Sequence, residues 1–203
     1  MTLDRLELLD WKRRVFALYE EVRRYPDPRS AWSHWRTQRD ELFREHPQSP
    51  LPADRRPDFP GLKLFDYDPG ARAIAEIAAA EEESYELPSS GEGTFTLTRF
   101  ATASFQLGPD ELRLELYWLR GYGGGLFLPF RDETSGKETY GAGRYLLDTV
   151  KGADLGGDDG GLVLDFNFAY NPSCAYDPQW VCPLAPPPNR LTVPIPAGEK
   201  RPE

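Results

Sequence analysis

Twenty prolines and eighteen glycines fall mostly between short apolar runs, and this spacing restricts the chain more than any other feature of its sequence. Proline removes a backbone donor and glycine loosens the chain, so the intervening segments suit strands and turns better than a bundle of long helices. The clearest strand is Leu112 to Trp118, where Leu112, Leu114, Leu116 and Trp118 alternate with Arg113, Glu115 and Tyr117. Phe95 and Leu97 alternate with threonines, Thr102 to Leu107 is β-prone, and Gly108-Pro109-Asp110-Glu111 supplies the turn of a hairpin. Leu126 to Phe130, Gly143 to Val150, Gly161 to Tyr170 and Arg190 to Ile195 read as further strands, the last an edge tied by prolines. The acidic, glycine-rich loop between Gly152 and Gly161 matches no EF-hand spacing and is expected to be a solvated connection.

The N-terminal third obeys a different rule. Leu8, Trp11, Val15, Leu18 and Val22 recur at steps of three and four, the mark of one helical face. The run Tyr25-Pro26-Asp27-Pro28 ends that helix, and a second is expected from an N-cap at Ser30 to His46, with Trp32, Trp35, Leu42 and Phe43 on its buried face. The expected organisation is one domain over 1–203: a helical segment 1–47, an extended proline-rich connection 48–70 pinned by Leu51, Phe59, Leu62 and Phe65, and a β-rich body 71–203. Between Ala71 and Leu87, alanine and glutamate favour helix while the setting favours a sheet; the strand reading is preferred at its start and the rest stays open. The fold class is therefore α+β: a mainly antiparallel sandwich or barrel preceded by two helices.

Charge and composition exclude several functions. A net charge of −9 disfavours binding to nucleic-acid backbones, which requires concentrated Lys and Arg. The start MTLDRLELLDWKRR has no apolar signal core, and no apolar run is long enough to span a bilayer, so a cytoplasmic protein without a membrane partner is expected. Gly136-Lys137 lacks the first glycine and the following Ser or Thr of a P-loop, and the other glycine clusters lack the dinucleotide fingerprint.

Polar residues concentrate between Arg131 and Glu199. Asp132, Lys137, Tyr140 and Arg144 surround two glycines, and any of them buried needs a partner. Two readings follow: Arg144 forms a structural ion pair with Asp132 or Asp165, or Arg144 and Lys137 clamp an anion in a ligand-binding wall. Asp165 and Asn167, two apart on an expected strand, would face the same way, with Asn171 next in line. Asp132 or Asp165 could then serve as a general base. Cys174 and Cys182 bracket a proline-rich loop. The only histidines, His34 and His46, lie in the helical segment, so neither zinc nor a Cys-His mechanism is favoured, and structural thiols or a disulfide remain.

The runs LFLPFRDETSGKETYGAGRYL, DFNFAYNPSCAYDPQWVCPL, PPNRL and AGEK, with WSHWRTQRDELFREHPQSPL and FPGLKLFDYDP, resemble the bacterial family DUF1684 over nearly the whole chain. The resemblance implies a helix-led, β-rich single domain and no established activity. Its pattern includes Asp132, Tyr140, Arg144, Asp165, Asn167, Asn171, Cys174, Tyr176, Cys182, Asn189 and Glu199. Some similar proteins look exported, whereas this start shows no signal, so the redox state of Cys174 and Cys182 stays open. The expected function is binding of a small polar or anionic molecule between segments 131–145 and 165–189. Lys137, Tyr140, Arg144, Asn167, Asn171, Tyr176 and Asn189 would be its contacts, with no metal. The alternatives are a hydrolase or lyase using Asp132 or Asp165, and a structural or interaction module whose polar network holds no ligand. Cofactor and oligomeric state are unspecified by the sequence.

Overall fold

The computed structural model describes residues 2–121 and 123–202. Helix α1, Thr2–Arg24, buries Val15, Leu18, Tyr19 and Val22, but Leu8 is exposed, because the first turns of the helix extend past the body. Helix α2, Pro28–Glu45, starts two residues before the expected cap. Asp27 is the N-cap: its Oδ2 accepts from the Ser30 N–H (2.9 Å) and hydroxyl (2.6 Å), and Pro28 occupies the first turn, where its missing N–H costs nothing. The 48–70 connection crosses the surface with short 3₁₀ turns at Ala53–Arg55 and Pro69–Ala71, and Leu51 and Leu62 pack with Phe43 and Tyr176.

Seven strands form one sheet. They are β1 (Arg72–Pro88), β2 (Thr94–Leu107), β3 (Asp110–Leu119), β4 (Gly125–Phe130), β5 (Arg144–Asp148), β6 (Gly157–Asp158) and β7 (Gly161–Asp165), in the order β5-β4-β3-β2-β1-β7-β6 with antiparallel neighbours throughout. The sheet is not closed by a continuous ladder. Beyond β7, Tyr170 and Tyr145 of β5 exchange N–H···O bonds of 2.8 and 2.9 Å, a single bridge from the β5 edge to the chain that follows β7.

The alanine-rich stretch is the long strand β1, flanked by β2 and β7. Tertiary pairing on both sides overrides its helix propensity. Ala71, Ala73 and Ala75 face the core, where small side chains leave room for the helices, while the glutamates project outward. In β3 the alternation holds through Leu116, after which Tyr117 is fully buried and Trp118 is exposed. Tyr117 joins Leu87, Leu97, Phe127 and Tyr145 in a second apolar cluster, beside a bulge in β2 at Phe100.

Three expected strands are shorter than their sequence pattern. Gly143 to Val150 narrows to β5 and then a 3₁₀ turn, and Gly161 to Tyr170 ends at Asp165, which accepts the Asn167 N–H and starts another 3₁₀ turn. Arg190 to Ile195 forms no strand; it makes one parallel bridge, Arg131 to Arg190. Backbone bonds from Leu191 N–H to the Arg131 carbonyl (2.8 Å) and from Glu133 N–H to the Val193 carbonyl (3.2 Å) hold the segment, and side chains add to them, as described below.

Candidate functional site

The residues singled out by the sequence are nearly all buried, and they are occupied with one another. The Arg144 guanidinium, at the start of β5, lies 2.8 Å from Asp132 Oδ2. It also donates to the carbonyls of Ile195 (3.0 Å) and Ala197 and sits 5.1 Å from the centre of the Phe130 ring. Burial pushes its pKa down, with Asp132 opposing that shift. Asp132 Oδ1 accepts the N–H (2.7 Å) and hydroxyl of Thr134, so the polar turn folds onto itself. Gly143 has φ +102, and a Cβ there would lie 2.6 Å from the Phe130 carbonyl, which is why the turn enters β5 through a glycine. Lys137 is exposed and reaches only Glu133, at 3.9 Å, so the two cations expected to clamp an anion do not converge.

A second buried pair was not singled out from the sequence. Arg39 of α2 donates to Glu199 Oε1 at 2.5 and 3.1 Å, and its guanidinium lies 5.0–5.2 Å from the ring centres of Trp35, Phe43 and Tyr170. Burial alone would lower the pKa of Arg39; the Glu199 carboxylate outweighs it and the net shift is upward, so the charge persists. Glu199 Oε2 accepts the Asn171 N–H (2.7 Å) and the Tyr176 hydroxyl (2.8 Å), using both carboxylate oxygens. The signal was present in the helix: Trp35, Arg39 and Phe43 are four apart, placing a cation on the apolar face.

Three asparagines act as substitutes for backbone. Asn189 accepts the Glu115 N–H (2.8 Å) and donates to the carbonyls of Glu115 (2.9 Å) and Pro129 (2.8 Å). The ladder of β3 and β4 stops at Tyr117–Phe127, so this amide bridges the gap beside Pro129, which has no N–H to offer. Asn167 likewise accepts from Asp68 N (2.9 Å) and donates to Asp68 O (2.7 Å), tying the connection to the end of β7. It lies in a 3₁₀ turn, so the strip of alternating polar residues expected on one strand face does not form. Asn171 donates to the Lys200 carbonyl at 2.8 Å, holding the C-terminal strap.

Asp165 is 2% exposed and its carboxylate accepts the backbone and side-chain N–H of Asn167 at 3.0 and 2.8 Å, with Arg72 3.9 Å away. Burial pushes its pKa up to about 6, against those bonds and Arg72. A carboxyl whose pKa is higher folded than unfolded supports the fold fully at low pH, and that support is lost as pH rises through about 6. The difference from 3.8 corresponds to about 3 kcal/mol. Asp165→Asn keeps the acceptor for Asn167 and removes the charge. Urea titrations at pH 4 and pH 7 should therefore show the variant gaining about 2 kcal/mol on the parent between the two, since pH 4 already lies just above 3.8; a constant difference would mean that Asp165 does not titrate in this range.

The remaining candidates gather at the opposite loop. Tyr140 places its hydroxyl 3.9 Å from the Cys174 sulfur, and Cys182 accepts the Cys174 N–H at 3.4 Å; both cysteines are free thiols. Tyr176 faces two ways, its hydroxyl on Glu199 and its ring in the wall of a pocket of about 290 Å³. That pocket is lined by Leu51, Phe59, Leu62 and Tyr176, with Arg55, Lys63 and Lys200 among its charged residues against Asp54 and Asp58. A smaller cavity of about 60 Å³, lined in part by Asn171, lies between the helices and the start of the 170–173 loop; among the described residues, the buried Asn171 Oδ1 accepts no hydrogen bond.

Fold and site together define a class: a β-rich domain led by two helices, its long loops fastened by buried ion pairs and asparagine amides. The chain belongs to the family described as "Protein of unknown function (DUF1684)", which matches residues 57–200. An uncharacterized protein of Haloarcula marismortui, solved by solution NMR, is similar, with 37% identity, a TM-score of 0.60, and coverage of 84% of this chain and 92% of that one. No curated protein matches the chain. Among the described residues, no helix is long and apolar enough to cross a membrane.

Proposed function

We propose that the protein binds a small amphipathic anion in the pocket between residues 51–63 and 200–202. The observation that carries this reading is the combination of an apolar floor, formed by Leu51, Phe59, Leu62 and Tyr176, with three cations, Arg55, Lys63 and Lys200, against two carboxylates, Asp54 and Asp58, in a chain of net charge −9. Its volume of about 290 Å³ suits a small ligand. Of the two segments expected to wall the site, 165–189 supplies Tyr176, whereas 131–145 supplies none of the lining among the described residues. Asn171, through the Lys200 carbonyl, and Arg144, through the Ala197 carbonyl, then hold the strap that leads into one wall, while Asn167 and Asn189 bond to Asp68 and to Glu115 and Pro129, away from the lining. A hydrolase or lyase using Asp132 or Asp165 has less support, since each carboxylate is 2% exposed and already accepts several donors.

Octanoate is a suitable probe. Titrated into ¹⁵N-labelled protein, it should shift the amides of Gly61, Leu62 and Lys63, and Lys200→Glu should weaken its binding about fivefold, the size expected for reversing one partly exposed charge. Shifts confined to other regions, or affinity unchanged in Lys200→Glu, would count against the pocket.

A further inference from the structure

We propose that Cys174 and Cys182 form a thiol–disulfide exchange site, with Cys174 as the attacking sulfur, Cys182 as the resolving one, and small disulfides as the substrate class. This site is independent of the apolar pocket. The inference starts from an asymmetry between two thiols that share one small space. Cys174 sits in the 3₁₀ turn Ser173–Ala175 and is partly exposed, whereas Cys182 is buried. Cys182 is also fixed: its N–H donates to Ser90 Oγ at 2.9 Å and its carbonyl accepts the Ser90 N–H at 2.9 Å, beside the Ser89–Pro183 bridge at the tip of the β1–β2 hairpin. Its sulfur nevertheless lies against the backbone of Cys174, accepting that residue's N–H at 3.4 Å. The exposed sulfur can meet a substrate while the buried one waits behind it.

The groups around Cys174 favour the thiolate, which is the nucleophile in such exchange. The Tyr140 hydroxyl lies 3.9 Å from the Cys174 sulfur, and the neighbouring Cys182 thiol first, with the Ser90 and Tyr140 side chains, draws the Cys174 pKa down to about 6 against the effect of burial. The same interaction pushes the Cys182 thiol upward, with burial adding to the shift and Lys151 opposing it. Tyr140 is pushed up to about 12, by burial first and then by the Cys174 sulfur, so its hydroxyl stays protonated and able to donate. Tyr145, on β5 nearby, is raised as well, chiefly by burial, and its hydroxyl donates to the Pro183 carbonyl at 2.5 Å. Two structural thiols filling a core would not require one of them to be partly exposed beside a tyrosine hydroxyl.

The chemistry balances with a disulfide R–S–S–R as oxidant. The Cys174 thiolate attacks one sulfur, forming the Cys174–S–S–R bond and breaking the R–S–S–R bond. The leaving RS⁻ takes the proton of the Cys182 thiol. The Cys182 sulfur then attacks Cys174, forming the internal disulfide and releasing the second RS⁻, which is protonated by solvent. The protein loses two electrons, the substrate gains two, and a dithiol reductant reverses the sequence.

Oxidised glutathione at pH 7, followed by intact-mass measurement, tests the assignment. The parent should lose the mass of two hydrogens, and Cys182→Ser should retain one glutathione at residue 174. Absence of that adduct in Cys182→Ser would overturn the proposal. In the unaltered protein, brief treatment with iodoacetamide and peptide mapping should modify Cys174 at least tenfold faster than Cys182, with a rate midpoint near pH 6; a faster Cys182 would also overturn it. Tyr140→Phe should move that midpoint upward, a response that a purely structural tyrosine would not give.

Discussion

Replacing Arg144 with methionine should destabilise the protein by about 3–5 kcal/mol, because it leaves the Asp132 carboxylate buried without its cation. The same change removes the donors to the Ile195 and Ala197 carbonyls, so the strap loses its hold as well. With a total stability of about 5–15 kcal/mol expected for a domain, the urea midpoint should fall by about a fifth or more. Adding Asp132→Asn should restore part of the loss, since the buried charge is gone while the acceptor for the Thr134 N–H is retained. A double variant no more stable than Arg144→Met would show that the carbonyl contacts, rather than the ion pair, dominate. Little loss in either variant would show that Arg144 is far more exposed in solution than its 1% accessibility states.

Glu199→Ala should be comparably damaging for a different reason. One carboxylate satisfies Arg39, the Asn171 N–H and the Tyr176 hydroxyl, so its removal strands a buried cation and two further donors. The expected cost is again about 3–5 kcal/mol. Arg39→Met should cost less, because Glu199 would keep two of its donors and methionine is apolar enough for the space among Trp35, Phe43 and Tyr170. Guanidinium denaturation of the two single variants settles the order; equal losses would assign the whole effect to the ion pair and none to Asn171 and Tyr176.

The helices were legible because α2 and most of α1 carry apolar residues at helical steps, and β3 because its leucines alternate through Leu116. The alanine-rich strand was only half legible: its residues favour helix, and the partners that overrule them are supplied by β2 and β7, far away in sequence. Asp132 and Arg144 were read as groups that need partners if buried, either in an ion pair or in a ligand-binding wall, and the two lie 2.8 Å apart. What the pattern could not reveal was that Asn167 and Asn189 pair with backbone, since an amide facing a main chain and an amide facing a ligand look alike in a sequence. The pocket was missed because its floor comes from the proline-rich connection, whose apolar residues were read only as pins.

The clamp between Arg39 and Glu199 joins positions 160 residues apart. Such a contact gains nothing until the intervening chain is already arranged, and both charges must shed water to make it. It is therefore expected to form late in folding, after the barrier, which a small effect of Arg39→Met on the folding rate and a large one on the unfolding rate would check. Interactions of that kind act on escape rather than on arrival: they do little for the speed at which the protein forms, and they lengthen the time for which it stays formed.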